Sequence, residues 1–402
     1  MEQRTDLMTG LYYHITRQEI TRRHELVREY MREKELGVIL VLVPHMEGYR
    51  RWLSGVDGTE RRTESCFVIP QKGSILHVIG SSMVREQKST AKPEGSMPDP
   101  EEAFDGIRTI YYFSAFEIRK MIEEGGGRKL GLIHGEEMRA QMYDYLEEFL
   151  PEIERIDVTR DFAMQKAVKS AEEQALIQRA VHLQERVLEG LWGYLKPGML
   201  EAEAVRYARY LANRLESGGI DSMETAQVEL ISWKGRQSRE PLCYPGRYLS
   251  DGDMVQIRLR ITGDSGFYGT LTRCLSFGEP SVQDRETWQK VMTLQEIIEE
   301  KLRPGTSLEL LQKEIKDLAG KMQIFLKGTH FLHGIGYCVS ETPDESSCSE
   351  SLILKEGMVL AAEPQVCDEN GNIFCCGEVY CLTASGALRM TAIPREIKVL
   401  WE

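Results

Sequence analysis

The sequence predicts a mixed α/β protein built as two domains. Three observations carry this. A chain of 402 residues is too long for one ordinary core. Its first part alternates amphipathic helices with short apolar runs bounded by turn residues, the texture of a sheet covered by helices. After Asp161 the texture shifts to long amphipathic helices that follow Pro-Gly turns, with strands behind them. The domains are therefore read as 1–165 (α/β) and 166–402 (α+β).

In the first domain, TRQEITRRHELVREYMREKEL (16–36) has helical spacing and stops at Gly37. The apolar run LGVILVLVP (36–44) follows and suits a buried strand. It is far shorter than the roughly 18 apolar residues of a membrane span. SCFVIP (65–70), SILHVIG (74–80) and KLGLIH (129–134) are further strands, separated by turns rich in Gly, Pro and charge. KSTAKPEGSMPDPEE (88–102) is a polar loop inside the domain.

In the second domain, residues 169–195 form a long helix, with Ser170 and Glu173 at capping-box spacing. LKPG (195–198) and LRPG (302–305) each precede another amphipathic helix. This repeat reads as an internal duplication; two unrelated helices that share a Pro-Gly start are the alternative. The stretch VQIRLRITGDSGFYGTLTRC (255–274) then alternates Val255, Ile257, Leu259 and Ile261 with Gln256, Arg258 and Arg260. That period of two marks a half-buried strand, one face of which carries two arginines.

Composition bounds the partners. The apolar and charged fractions, 42% and 28%, are those of an ordinary soluble protein. A net charge of −13 argues against a nucleic-acid backbone or an anionic membrane as partner. The opening MEQRTDLMTG lacks the basic-then-apolar order of an export signal, and none of the nine cysteines forms a CxxC pair. A cytoplasmic protein with reduced thiols is expected; a thiolate metal site at Cys375, Cys376 and Cys381 is the alternative.

Several motifs, taken in order, resemble the pita-bread superfamily of methionine aminopeptidase, aminopeptidase P, prolidase and creatinase. GYRRWLSG (48–55) resembles an aromatic-rich strand end of its N-terminal domain. KSAEEQALIQRA with the KPG after it, DGDMVQIRLR, HGIG (333–336), GMVLAAEP (357–364) and GEVYCLT (377–383) resemble its catalytic domain. The resemblance implies a creatinase-like N-terminal domain followed by a duplicated pita-bread domain, a homodimer by kinship, and a small peptide or amide as ligand.

The family's peptidases hold two divalent metals on two Asp, one His and two Glu. Carried over, the histidine is His333 and the glutamates are Glu363 and Glu378. The first Asp falls on Arg258 and the second on Thr270, with the family's following arginine retained as Arg273. Two glutamates against one arginine leave a single negative charge, too little to balance two dications in a low-dielectric pocket. No cofactor is therefore expected, and one divalent metal on His333, Glu363 and Glu378 is the alternative. Arg258 is expected to point into the site and neutralise Glu363 and Glu378. In the alternative register the arginines reach outward to water.

The surrounding residues have diverged as well. A substrate-contacting histidine falls on Pro241, and the histidine of H-E-x-P on Ser340, with Glu341 and Pro343 kept. His333, Glu363 and Glu378 are the catalytic candidates; Arg258, His330, Thr270 and Glu341 are the substrate-binding candidates. Three functions compete. One is a peptidase-like protein of the Xaa-Pro aminopeptidase and dipeptidase kind without its dinuclear centre. The second is a metal-independent, creatinase-like hydrolase of a small C–N bond. The third is a non-catalytic binder of peptides or small molecules.

Overall fold

The apolar run after Glu35 is the central strand of a six-stranded sheet. The computed structural model describes residues 15–43, 47–55, 65–79, 107–110, 115–215, 226–234, 246–263, 265–328, 331–344 and 352–400. Pro241 and His330 lie outside them. The chain divides into two compact units, 1–166 and 167–402.

The first unit runs α1 (Arg17–Glu33), β1 (Leu36–Val43), α2 (Glu47–Ser54), β2 (Ser65–Pro70), β3 (Ile75–Ile79), β4 (Ile107–Ile110), α3 (Ala115–Gly125), β5 (Lys129–Ile133), α4 (Ala140–Phe149), β6 (Glu154–Asp157) and α5 (Thr159–Ala167). Thr16 caps α1 by accepting the Glu19 amide, which satisfies a donor the helix leaves open. The sheet order is β4-β3-β2-β1-β5-β6. On one face Val38, Leu40, Val68 and Leu130 pack against Ile118 and Ile122 of α3 and Leu146 of α4. Burying each such aliphatic side chain contributes about 1.5–3 kcal/mol. GYRRWLSG, expected at a strand end, lies in helix α2 instead. Tyr49, Trp52 and Leu53 fall on one helical face by their spacing and all are buried.

The second unit begins with α6 (Ala171–Trp192) and α7 (Glu201–Leu215), then β7 (Ala226–Trp233), β8 (Met254–Thr262) and β9 (Tyr268–Phe277). Next come α8 (Val282–Lys301), α9 (Leu308–Lys321), β10 (Phe325–Leu326), β11 (Leu332–Gly334), β12 (Val359–Ala362), β13 (Gln365–Cys367) and β14 (Ile373–Cys375). The unit closes with β15 (Glu378–Thr383), β16 (Gly386–Arg389) and β17 (Lys398–Leu400). Ser170 and Glu173 form the reciprocal capping box of α6. The two Pro-Gly turns match in conformation, with Gly198 at φ 85° and Gly305 at φ 87°. Each turn needs glycine's freedom at positive φ.

Two four-stranded sheets position the site, with orders β17-β9-β8-β7 and β11-β12-β15-β16. The apolar face of β8, Val255 to Ile261, is buried with Leu183, Val187 and Leu188 of α6 and Ala204 and Ala208 of α7. That burial fixes the register, because a slip of one residue would bring the arginines into this core. Gln256, Arg258 and Arg260 therefore take the opposite face. The sheets meet where Thr272 bridges to Gly377. A side chain at Gly377 would put its Cβ 2.8 Å from the Thr272 hydroxyl, so glycine allows the sheets to approach.

Candidate functional site

Strand register assembles the first half of the site. Across β7, β8 and β9, Glu229 sits opposite Arg258, and Arg258 opposite Thr272. One step along, Arg260 sits opposite Thr270. From the other sheet, Glu363 follows the end of β12, two residues after Ala361, which pairs with His333 of β11. Two of the family ligand positions, His333 and Glu363, are thus brought to the face of β8 and β9.

The carboxylate of Glu363 is taken up there. Arg260 Nη2 donates to Oε2 at 2.8 Å, and Thr270 Oγ1 donates to Oε1 at 2.8 Å. Thr272 Oγ1 lies 3.4 Å from Oε1. Arg258 gives its direct hydrogen bond to Glu229 at 3.1 Å and stands 3.9 Å from Glu363 Oε1. His333 Nε2 is 3.8 Å from Oε2, an ion-pair rather than a hydrogen-bond separation; its Nδ1 lies 3.0 Å from the Gly334 carbonyl.

Electrostatics follow from this packing. Burial alone would raise the Glu363 pKa, but His333, Arg260 and Arg258 outweigh it and hold the carboxyl well below the usual range. Burial likewise works against the Arg258 charge, yet Glu363 and Glu229 hold its pKa above the ordinary arginine value. Burial pushes the neighbouring Cys375 thiol up to about 12. It is thus a thiol, not a thiolate nucleophile, at neutral pH.

Glu378 sits in a separate nest. Its Oε1 accepts Arg273 Nη2 at 2.8 Å and Arg395 Nε at 3.0 Å, and its Oε2 accepts the Thr391 hydroxyl. Arg273 also donates to the carbonyls of Thr272, Gly377, Ile393 and Pro394. Arg395 Nη2 reaches Glu299 at 2.6 Å. The loop that carries Thr391 and Arg395 is pinned by Glu185 of α6, which accepts the amides of Ala392 and Ile393.

The structure therefore corrects the expectation that Arg258 neutralises both glutamates. Arg260 makes the short contact to Glu363, and Arg273 with Arg395 hold Glu378. The physical reason is that the two glutamates arrive from different strands and meet different cations. Glu341, a substrate-binding candidate, has both oxygens engaged by the chain: Oε2 by Lys169 Nζ at 3.0 Å and Oε1 by the Cys338 amide at 3.0 Å. His330 lies outside the described residues. Arg260 is legible in the sequence as a same-face neighbour of Arg258; Glu229, in an alternating strand not marked from the sequence, and Arg395, which has no local signal, come from the structure alone.

Residues 175–389, more than half of the chain, match the model of metallopeptidase family M24. The chain belongs to this family. Among relatives, it is 25% identical over 282 residues to an uncharacterized peptidase of Bacillus subtilis (strain 168), covering 69% of this chain and 77% of that one. It is 28% identical over 248 residues to a probable dipeptidase of Mycobacterium tuberculosis, covering 61% of this chain and 63% of that one. The mycobacterial match thus spans less than two thirds of that relative. Among solved structures, an X-Pro aminopeptidase from Thermotoga maritima superposes with TM-score 0.72 at 18% identity, over 94% of this chain and 99% of that one. A dipeptidase from Mycobacterium ulcerans gives 0.71 at 21%, over 96% and 99%. This likeness establishes the pita-bread fold of family M24 with its N-terminal domain. No helix among the described residues is long and apolar enough to cross a membrane.

Proposed function

We propose that this M24 chain binds small peptides or amides of the Xaa-Pro kind and does so without the dinuclear metal centre of metallopeptidases. One observation carries the reading. Each oxygen of the two glutamates at family ligand positions is already bonded by the chain itself: Glu363 by Arg260 and Thr270, Glu378 by Arg273, Arg395 and Thr391.

The residues present do not fit a pair of dications. A metal on Glu363 would have to displace a guanidinium from Oε2 and would face a second one 3.9 Å from Oε1. Hard cations take oxygen ligands, and a guanidinium offers none. Among the described residues no three His, Cys, Asp or Glu side chains come together as ligands. The peptide class comes from likeness to relatives described as an X-Pro aminopeptidase and a dipeptidase. A cytoplasmic homodimer belongs to the same reading, by kinship.

Restoring the ligands tests it. The change Arg258→Asp with Thr270→Asp supplies both family aspartates but leaves Arg260 on Glu363, so it is expected to bind manganese no better than wild type. Adding Arg260→Ala frees Glu363 and is expected to create manganese binding, read by calorimetry. Wild-type protein that binds manganese as tightly as the triple variant contradicts the proposal.

A further inference from the structure

We propose that the Arg258–Arg260 face is a seat for the carboxylate of a small ligand, with the partly exposed Arg260 guanidinium as its primary contact. The inference rests on the reading that no metal pair occupies this face. Two features of the arginines carry it.

The first is unspent hydrogen-bonding capacity. Arg260 gives Nη2 to Glu363, but its Nε–H is buried and has no hydrogen-bond partner. Arg258 Nε is buried in the same state, 3.9 Å from Glu363 Oε1. Buried charged donors are normally paired, so an unmade bond of this kind needs a partner from elsewhere. The contrast within the same unit is sharp. Arg273, which holds Glu378, has its Nε and both terminal nitrogens bonded.

The second feature is charge at an opening. The two guanidiniums share one buried carboxylate, Glu363, whose side chain is 5% exposed. Arg258 and Arg260 are 13% and 22% exposed, and His333 is 13% exposed, so solvent reaches this face over the buried glutamate. Glu229 answers Arg258 from the rim, where it is 32% exposed. Arg260 is left with only a shared partner. Glu229 and Glu363 together balance the two guanidiniums, so a single carboxylate, which adds one negative charge, suits the face better than a dianionic phosphate. The planar fork of a guanidinium also fits the two oxygens of a carboxylate.

The position selects for reach as well as charge. Arg260 lies on the wall formed by β8 and β9, opposite Thr270, and His333 of β11 stands at the same Glu363 oxygen, Oε2, that Arg260 holds. A ligand whose carboxylate pairs with Arg260 places its next atoms beside His333. A short peptide ending in a free carboxylate has that shape, and so does a small carboxylic acid.

The test uses the full-length protein and calorimetric titration with glycyl-proline, its C-terminal amide, acetate and inorganic phosphate. Glycyl-proline is expected to bind at least about tenfold more tightly than its amide, the factor set by one charge-assisted hydrogen bond. Arg260→Gln should lose that preference and Arg260→Lys should regain part of it. Acetate that competes with the dipeptide assigns the site to carboxylates in general, whereas acetate that does not compete assigns it to the peptide terminus. The acid-against-amide comparison is made on wild type, so it stands even if a variant fails to fold. Equal binding of acid and amide, no binding of either carboxylate, unchanged preference in folded Arg260→Gln, or phosphate binding tighter than acetate overturns the inference. Metal analysis of the same sample separates this failure from failure of the metal-free reading: a metal-free protein with no charge preference sinks the carboxylate seat alone.

Discussion

Glu378→Ala is expected to lower the melting temperature of the second unit by roughly 6–20 °C. The change removes a carboxylate that is fully buried and leaves Arg273, itself 1% exposed, facing a gap. Breaking a buried ion pair from one side costs about 3–5 kcal/mol, and in a unit of this size each kcal/mol is about 2–4 °C. Arg395 loses a partner too, though it keeps Glu299 and Tyr380. Glu378→Gln should cost less, because an amide keeps an acceptor for one arginine. Arg273→Met should fall at the upper end, since it also removes the donor that Arg273 gives to the carbonyls of Ile393 and Pro394. Thermal unfolding of the full chain by circular dichroism checks this. A family glutamate whose only task is to hold metal would leave metal-free protein nearly unchanged on conversion to alanine.

Replacing Arg258 and Arg260 together by alanine is the second large effect, and it depends on pH. At neutral pH the double change leaves Glu363 charged and buried without either guanidinium, at a cost of about 3–5 kcal/mol. Arg260→Ala alone should cost about 1.5–3 kcal/mol, the value of a hydrogen bond to a charged group. The wild-type Glu363 carboxyl is held well below its usual range. Its stabilisation is therefore complete above the unfolded carboxylate value of about 4.3 and is lost as pH falls from there through the lower folded value. In the double variant, burial opposed only by His333 shifts Glu363 toward the protonated acid. The deficit should be largest near pH 7 and shrink as pH drops through the carboxylate range. Urea midpoints of both proteins at pH 7 and pH 4 measure it. An equal deficit at the two values shows that Glu363 is not what the arginines stabilise.

Much of this was legible in the sequence because it is local. The alternation through 255–261 placed Arg258 and Arg260 on one face, the Ser170–Glu173 spacing gave the start of α6, and the two Pro-Gly turns share one glycine conformation. The ordered motifs around His333, Glu363 and Glu378 gave the family. What stayed hidden is set by distant packing. Which of two same-face arginines touches Glu363 depends on where β12 delivers that glutamate from another sheet. Arg395 reaches Glu378 only because Glu185, far earlier in the chain, anchors the loop between them. The error at 48–55 was of another kind. Tyr49, Trp52 and Leu53 have helical spacing, and that spacing outweighs the likeness to a strand end.

The central claim is that arginines and threonines bond the chain's two family glutamates where relatives hold metal. Elemental analysis of protein purified without chelator, together with thermal unfolding in added manganese or cobalt, tests it most directly. The account predicts no stoichiometric divalent metal and no rise in melting temperature, because a ligand that binds only the folded state would raise it. Two metals per chain, or a melting temperature that climbs with manganese at micromolar concentration, would contradict it.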